Sequence, residues 1–345
     1  MLRLGIVGMG KMGMAHAGWI SKNPEMELVA VCDSNPAREQ WLRQKYETAF
    51  YTDYNLFLNS NRMDIVVVVT TNDVHEQLTL QALAAGRDVI VEKPMSLTYE
   101  SARRMVQAAE KQGRRIFVHQ SSRWDRDYLL LRDVIASGKI GDVLMIQSKV
   151  MLCDTGWPSW GIDGMENPWR IKAAYGGGML FDWGPHLVDQ MLQLNCEPLG
   201  VFGQMQRGVW SKDVEDYFFA VFPCKNGVQF QIEVSNNSTL VMNRWFVIGT
   251  KGTFAVKGGY EPVWAEADLA YTGKDGKKQH EWLKLEGVNE SGMEGGFYDD
   301  LVPYLNSEKQ DFVTMDQAAK VIKVLEQIKK SSNEQRFISF GEAEQ

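Results

Sequence analysis

Leu2-Arg3-Leu4-Gly5-Ile6-Val7-Gly8-Met9-Gly10-Lys11-Met12-Gly13 is the stretch on which the fold turns. A short apolar run passes straight into Gly-x-Gly-x-x-Gly and then into a helical pattern, the context in which this fingerprint binds a dinucleotide. Gly8 is expected to make the tight turn and Gly10 to let the backbone approach a diphosphate. Gly13 lets the helix sit close to the strand. Lys11 and Met12 complete the loop, and the helix N-terminus attracts the diphosphate.

A second apolar run, Leu28-Val29-Ala30-Val31-Cys32, ends in Asp33. That is about twenty residues beyond the last glycine, where a carboxylate accepts hydrogen bonds from the ribose hydroxyls of NAD. Its charge would repel a 2′-phosphate, so NAD is favoured over NADP. Arg38, in Asn35-Pro36-Ala37-Arg38, is placed in the first turn of the next helix, facing solvent. The run Asp64 to Val69 is apolar enough for a central parallel strand buried on both faces. Thr70, Thr71 and Asn72 follow at its carboxyl end, the side where open α/β sheets place ligands. His75, just beyond, reads as a helix-surface or cofactor-flanking residue or equally as a catalytic one. Another strand, Asp88 to Val91, delivers Glu92-Lys93-Pro94, in which the proline holds Lys93 extended at the crevice. A lysine there can act as general acid or base, or hold a substrate oxygen while charged.

Much further along, Gly176-Gly177-Gly178-Met179-Leu180-Phe181-Asp182-Trp183-Gly184-Pro185-His186 places an acid and a histidine four residues apart behind a glycine run. On a helix that spacing puts Asp182 and His186 on one face, where the acid can orient the imidazole.

Together these blocks resemble the Gfo/Idh/MocA family of nicotinamide-dependent oxidoreductases, which includes glucose-fructose oxidoreductase and inositol dehydrogenases. The resemblance rests on Gly8-x-Gly10-x-x-Gly13, on Ala85 to Pro94, and on Gly176 to Gly178 followed by Asp182, Gly184, His186 and Asp189. It spans almost the whole chain. It implies an α/β protein with an N-terminal Rossmann domain and a C-terminal α+β domain built on an open, mainly antiparallel sheet. It also implies that Lys93, Asp182 and His186 form the catalytic set and that Glu92 lies with the cofactor. Thr71 stands where many relatives have proline, which bears on the loop over the cofactor and not on the catalytic set.

The chain is expected to cross from one domain to the other near Ser121 to Asp125, giving residues 1–121 as the NAD-binding unit and 122–345 as the substrate-binding and oligomerisation unit. Arg123 and Trp124 lie at that crossing, where relatives place an arginine and an aromatic near nicotinamide and substrate. An interdomain salt bridge with a packed Trp is the alternative. A helix from Tyr128 to Ser137 ends at Gly138, and strands follow over 143–152, 217–222, 228–235 and 245–248. The free face of that second sheet must be covered, so a homodimer or homotetramer is expected. Trp157, Trp160 and Trp169, with Arg170 and Lys172, precede the glycine run. Flat aromatic faces suit the C–H face of a sugar ring, and the cations suit hydroxyls or an acidic group.

The 345 residues, 44% of them hydrophobic, can fill two cores, and a formal net charge of −7 argues against a nucleic-acid partner. No run reaches membrane length, and the sequence enters a strand without a secretory pattern. Cys32, Cys153, Cys196 and Cys224 have no metal-ligand spacing and read as reduced thiols, so a cytoplasmic protein without a metal is expected. The activity these readings support is hydride transfer between a secondary hydroxyl of a sugar or cyclic polyol and NAD. His186 is preferred as base because its ordinary pKa lies near neutrality, with Lys93 holding the oxygen, although the two roles can be exchanged. A glycosidase that oxidises its sugar transiently with recycled NAD, and a sensor that only binds nucleotide, are the alternatives.

Overall fold

The computed structural model describes residues 1–60, 62–153, 168–258, 266–284 and 292–341. Six parallel strands form the first sheet: β1 (Leu2–Val7), β2 (Met26–Cys32), β3 (Ala49–Tyr51), β4 (Ile65–Val68), β5 (Asp88–Val91) and β6 (Ile116–Val118). Their order is β3-β2-β1-β4-β5-β6, the doubly wound arrangement whose strand order reverses beside β1. Right-handed crossovers demand a helix between successive strands, and the chain supplies α1 (Lys11–Lys22), α2 (Arg38–Arg43), α3 (Tyr54–Asn59), α4 (His75–Ala84) and α5 (Tyr99–Gln112). Each residue of β4 is buried at 1% exposure or less, because helices cover both faces of a central parallel strand. Burying each such side chain contributes roughly 1.5–3 kcal/mol.

Beyond β6 a short 3-10 turn, Ser121–Trp124, leads into α6 (Arg126–Ala136) and a second sheet. Its strands are β7 (Val143–Met151), β8 (Gly200–Gln206), β9 (Tyr217–Pro223), β10 (Gln229–Ser235), β11 (Asn243–Gly249), β12 (Gly252–Lys257), β13 (Glu266–Thr272), β14 (Lys278–Lys284) and β15 (Ile338–Ser339). The order is β14-β13-β12-β11-β7-β10-β9-β8-β15, with β7 and β10 parallel and the other pairings antiparallel. An α/β fold with a mainly antiparallel second sheet is thus observed. In β7, Ile146, Ser148 and Val150 are buried while Met145, Gln147, Lys149 and Met151 between them are only partly buried, the alternation of a sheet covered on one face.

The covering layer comprises α7 (Met179–Asp182), α8 (Gly184–Gln193) and α10 (Met315–Glu334), and α9 (Gly292–Leu305) lies against the 121–124 turn and α1. Thr314 and Gln317 form a reciprocal capping box at the start of α10. This last helix also reaches the first sheet's layer: Glu326 accepts the Tyr99 N–H at 3.0 Å, and Arg103 pairs with Asp316 at 3.1 Å. Among the described residues no helix is long and apolar enough to cross a membrane.

Candidate active site

The glycine loop is shaped by contacts that no side chain could share. Gly8 has φ +94°, and a Cβ there would lie 2.2 Å from the Val69 carbonyl oxygen. A Cβ on Gly13 would lie 2.0 Å from the Gly8 carbonyl oxygen. Gly10 is the N-cap of α1 and brings no side-chain cap, so the helix presents its first-turn N–H groups and positive end to whatever occupies the crevice. Asp33, at the end of β2, accepts the Met9 N–H at 2.6 Å and the Asn35 N–H at 2.8 Å. The same carboxylate therefore closes the loop at the carboxyl end of β2. Thr70 and Thr71 are half-buried at the carboxyl end of β4. These residues fit a bound dinucleotide: the loop is a cradle that any Cβ at Gly8 or Gly13 would fill.

Three residues expected at the cofactor have their side chains engaged within the protein. His75 is fully buried, its ring nitrogens 2.9 Å from the Pro94 oxygen and 3.3 Å from the Thr70 oxygen, so it ties two loops together. Asn72 is buried and donates to the Gly176 oxygen at 3.0 Å, linking the first sheet to the glycine run. Glu92 turns inward to His16 and His119, each 2.8 Å from its Oε1.

Lys93 follows β5 and is fixed at both ends. Its backbone N–H donates to Glu92 Oε2 at 3.0 Å, and its Nζ donates to the Asp182 carbonyl at 2.6 Å and to Asp182 Oδ1 at 3.0 Å. An ammonium has three hydrogens, and these two acceptors leave one for a ligand oxygen. Asp182 was expected to share a helical face with His186. The helix breaks at Trp183, which ends α7 and caps α8, and the carboxylate turns to Lys93, with Arg170 Nε 3.9 Å from its other oxygen.

His186 occupies the first turn of α8. Its Nδ1 is sealed from solvent and has no hydrogen-bond partner among the described residues. Burial, and then the Lys93 charge, push its pKa down to about 3, against the opposing pull of Glu92 and Asp182. The ring is accordingly neutral at pH 7, well below the near-neutral titration expected from an ordinary histidine. A neutral imidazole beside a fixed ammonium can accept a proton, while the ammonium stabilises charge on the atom that loses it.

Arg123 does not face the crevice. It is 9% exposed and forks onto Asp189 at 2.7 and 2.8 Å, with further bonds to the Phe312 oxygen at 3.2 Å and Gln317 at 3.1 Å. This is the buried salt bridge that the sequence offered as the alternative. Trp124 goes with it, donating to Asp300 at 2.6 Å and packing on Phe297 and Phe312. The Trp169 ring lies under the Arg170 guanidinium, 4.3 Å from the ring centre, and Lys172 is half-buried beside them in sequence. Trp157 and Trp160 lie outside the described residues.

The glycine run owes its composition to crowding. A Cβ on Gly177 would meet the Arg170 oxygen at 2.2 Å, and one on Gly178, at φ +101°, would meet Glu215 at 2.4 Å. Glu215 itself accepts the Leu180 N–H at 2.9 Å and so caps α7; burial raises its pKa. Glu215, His16, His119 and Tyr298 are site-supporting residues that sequence reasoning missed. No local pattern announces them, because their partners lie 27 to 282 positions away.

Known proteins share this architecture. Residues 2–120 match the oxidoreductase family with an NAD-binding Rossmann fold, GFO/IDH/MocA, and residues 128–255 match the GFO/IDH/MocA C-terminal domain. The chain is 31% identical to an uncharacterized oxidoreductase of Schizosaccharomyces pombe over 61% of its own length and 57% of that protein's. It is 31% identical to the D-glucoside 3-dehydrogenase of Escherichia coli over 68% of its own length and 70% of that enzyme's. Among solved structures, an NAD-binding protein from Listeria innocua superposes with a TM-score of 0.83 at 27% identity, covering 98% of this chain and 96% of that one.

Proposed function

This chain belongs to the Gfo/Idh/MocA family of NAD-binding oxidoreductases, and from that premise we propose that it moves a hydride between NAD and a secondary hydroxyl of a sugar or cyclic polyol. The observation that carries the proposal is the Lys93 ammonium, braced by both the carbonyl and the carboxylate of Asp182, with one hydrogen left for a substrate oxygen. When bound, NAD supplies the hydride acceptor. Gly8, Gly10, Lys11, Met12 and Gly13 cradle its diphosphate, Asp33 takes the ribose hydroxyls, and Thr70 and Thr71 flank it. Lys93 polarises the substrate oxygen and stabilises alkoxide character as the C–H bond breaks. His186 takes the hydroxyl proton at Nε2, since Nδ1 is sealed, and with a pKa of about 3 it relays that proton onward rather than holding it, while Asp182 keeps the ammonium in place.

A hexose ring or glycoside is supported by the likeness to a glucoside dehydrogenase, by Trp169 under Arg170 with Lys172 close behind in sequence, and by Trp183 against the His186 ring. Residues 1–121 and 122–345 are proposed as the two working units. Phe202, at 36% exposure, lies on the face of the second sheet that also carries the part-buried Val221, Gln231 and Gln147, and a second copy of the chain would cover such a face as homodimer or homotetramer. The four cysteines are all unpaired, which supports a cytoplasmic setting.

The test is NADH formation from NAD across inositols, free hexoses, hexonates and aryl glycosides, with aglycone release recorded in parallel. NADH with a polyol or sugar supports the proposal. Aglycone release that requires NAD yet leaves no NADH replaces it with the redox-cycling glycosidase, and silence in both despite NAD binding replaces it with a sensor. Lys93→Met and His186→Ala should each lose most turnover while NAD still binds; full turnover in either removes that residue from its role.

A further inference from the structure

Three of the five histidines, His16, His75 and His119, are at most 1% exposed, and two of them converge on one carboxylate. His16 lies on α1 just beyond the glycine loop, His119 follows β6, and Glu92 follows β5. Glu92 Oε1 receives His16 Nε2 and His119 Nδ1, both at 2.8 Å, while its Oε2 receives the Lys93 backbone N–H at 3.0 Å. On the far side of His16, Nδ1 meets the Tyr298 hydroxyl at 2.6 Å. Trp19, Phe297 and Tyr298 wall the cluster with their rings, and the two imidazoles lie 4.6 Å apart, centre to centre.

Proton bookkeeping determines who donates. Burial raises the Tyr298 pKa well above its ordinary value, so its hydroxyl keeps its hydrogen and donates to His16 Nδ1. His16 is neutral, its pKa pushed down to about 4 by burial, so its one ring hydrogen sits on Nε2 and points at Glu92. A carboxylate this deep would ordinarily take up a proton. Burial does press it that way, but the charge and hydrogen bond of His119, with the hydrogen bond of the neutral His16, outweigh it and hold Glu92 ionised. The ligating atoms lie within 4.8 Å of one another, which is also the reach of a metal ion. Such an ion would have to displace the His16 ring hydrogen that already pairs with Glu92, so the arrangement favours a hydrogen-bonded cluster.

We infer that His16 and His119 are positioning residues for Lys93. They act through Glu92, holding its carboxylate in the orientation whose second oxygen anchors the Lys93 backbone and so aims the ammonium at Asp182. The inference rests on the role given to Lys93 above. It goes beyond that role by naming an inner support that touches neither substrate nor cofactor.

The test uses the full chain with His16→Leu, His119→Leu, Glu92→Gln and the donor-preserving pair His16→Gln and His119→Asn, whose amide nitrogens replace Nε2 and Nδ1 respectively. The first readout needs no substrate: the rate of Lys93 acetylation by trace acetic anhydride, by peptide mass spectrometry, relative to exposed lysines. The second is kcat and KM on whichever sugar or polyol the wild type oxidises. The third is the metal content of the purified protein. The leucine variants and Glu92→Gln should acetylate Lys93 at least threefold faster and lose at least tenfold in kcat with KM within about twofold, whereas the amide variants should recover most of both. Leucine variants that behave as wild type, amide variants as impaired as leucine ones, or a stoichiometric metal lost with either histidine would each overturn the inference. If the leucine variants do not fold, Glu92→Gln against the amide pair decides it by the same readouts. If no substrate is turned over, the function proposal fails while the acetylation rates still decide this one.

Discussion

Replacing Asp189 by leucine would leave the Arg123 guanidinium buried with two neutral acceptors, the Phe312 oxygen and Gln317, in place of a forked carboxylate. Both members of the pair are within 9% of complete burial, so solvent cannot enter to compensate. Breaking a buried pair from one side costs about 3–5 kcal/mol, because the remaining charge is stranded. Arg123→Met should cost a similar amount by stranding Asp189. If the two sites were independent the double variant would lose roughly 6–10 kcal/mol; with both charges gone it should lose about 2 kcal/mol or less. Urea unfolding followed by tryptophan fluorescence measures this cycle, and NAD affinity and KM are read on the same proteins. The refuting result is specific: Arg123→Met that unfolds at the wild-type urea concentration while KM rises sharply would make Arg123 a substrate ligand and the structural reasoning wrong.

Gly13→Ala forces a methyl against the Gly8 oxygen 2.0 Å away, so NAD binding by calorimetry should vanish or fall at least a hundredfold even if the variant folds. Asp33→Ser removes an acceptor of the Met9 N–H along with the charge; NAD should bind about tenfold more weakly, a loss of about 1.4 kcal/mol, and NADP more tightly, and unchanged selectivity would exclude Asp33 from the ribose site. Acid should destabilise the fold between pH 6.5 and 4. In that window the unfolded chain protonates His16 at its ordinary 6.5 while the folded protein, at about 4, does not, so stability falls as pH falls, by about 3 kcal/mol from this residue. Glu92, held ionised in the fold, acts in the same direction, and an unfolding midpoint independent of pH across that range would contradict the burial of this cluster.

The first sheet was legible because its determinants are local. Gly8 to Gly13, the all-apolar β4 and the polar residues at its end each declare themselves within a dozen positions. Several strands of the second sheet were equally plain from alternation, as in β7 and β10, whereas β13 and β14 were not: Lys278 to Lys284 carries little apolar signal. At the site, the glycine run, Lys93, Asp182 and His186 were visible as residues, but their pairings were not. Asp182 reaches Lys93 across 89 positions, and the break at Trp183 that allows it follows from Pro185, which has no N–H to carry one continuous helix past Phe181. Arg123 misled because a motif position says nothing about whether a guanidinium is already matched, and Asp189 matches it completely in geometry.

Lys93 arrives on the first sheet and Asp182 on the helical layer of the second, so their bond is a mechanical seam as well as a chemical arrangement. Asn72, bound to the Gly176 oxygen, is a second stitch close by in sequence. A ligand oxygen that takes the remaining Lys93 hydrogen leaves both stitches intact, so the crevice can be filled without prying the two halves apart. A rotation of one half against the other, by contrast, strains the Lys93 and Asp182 pair directly. The enzyme is therefore built so that rigid-body slack between its halves registers at the reacting atoms, and substitutions far out on either sheet that alter their relative tilt belong among those able to change turnover.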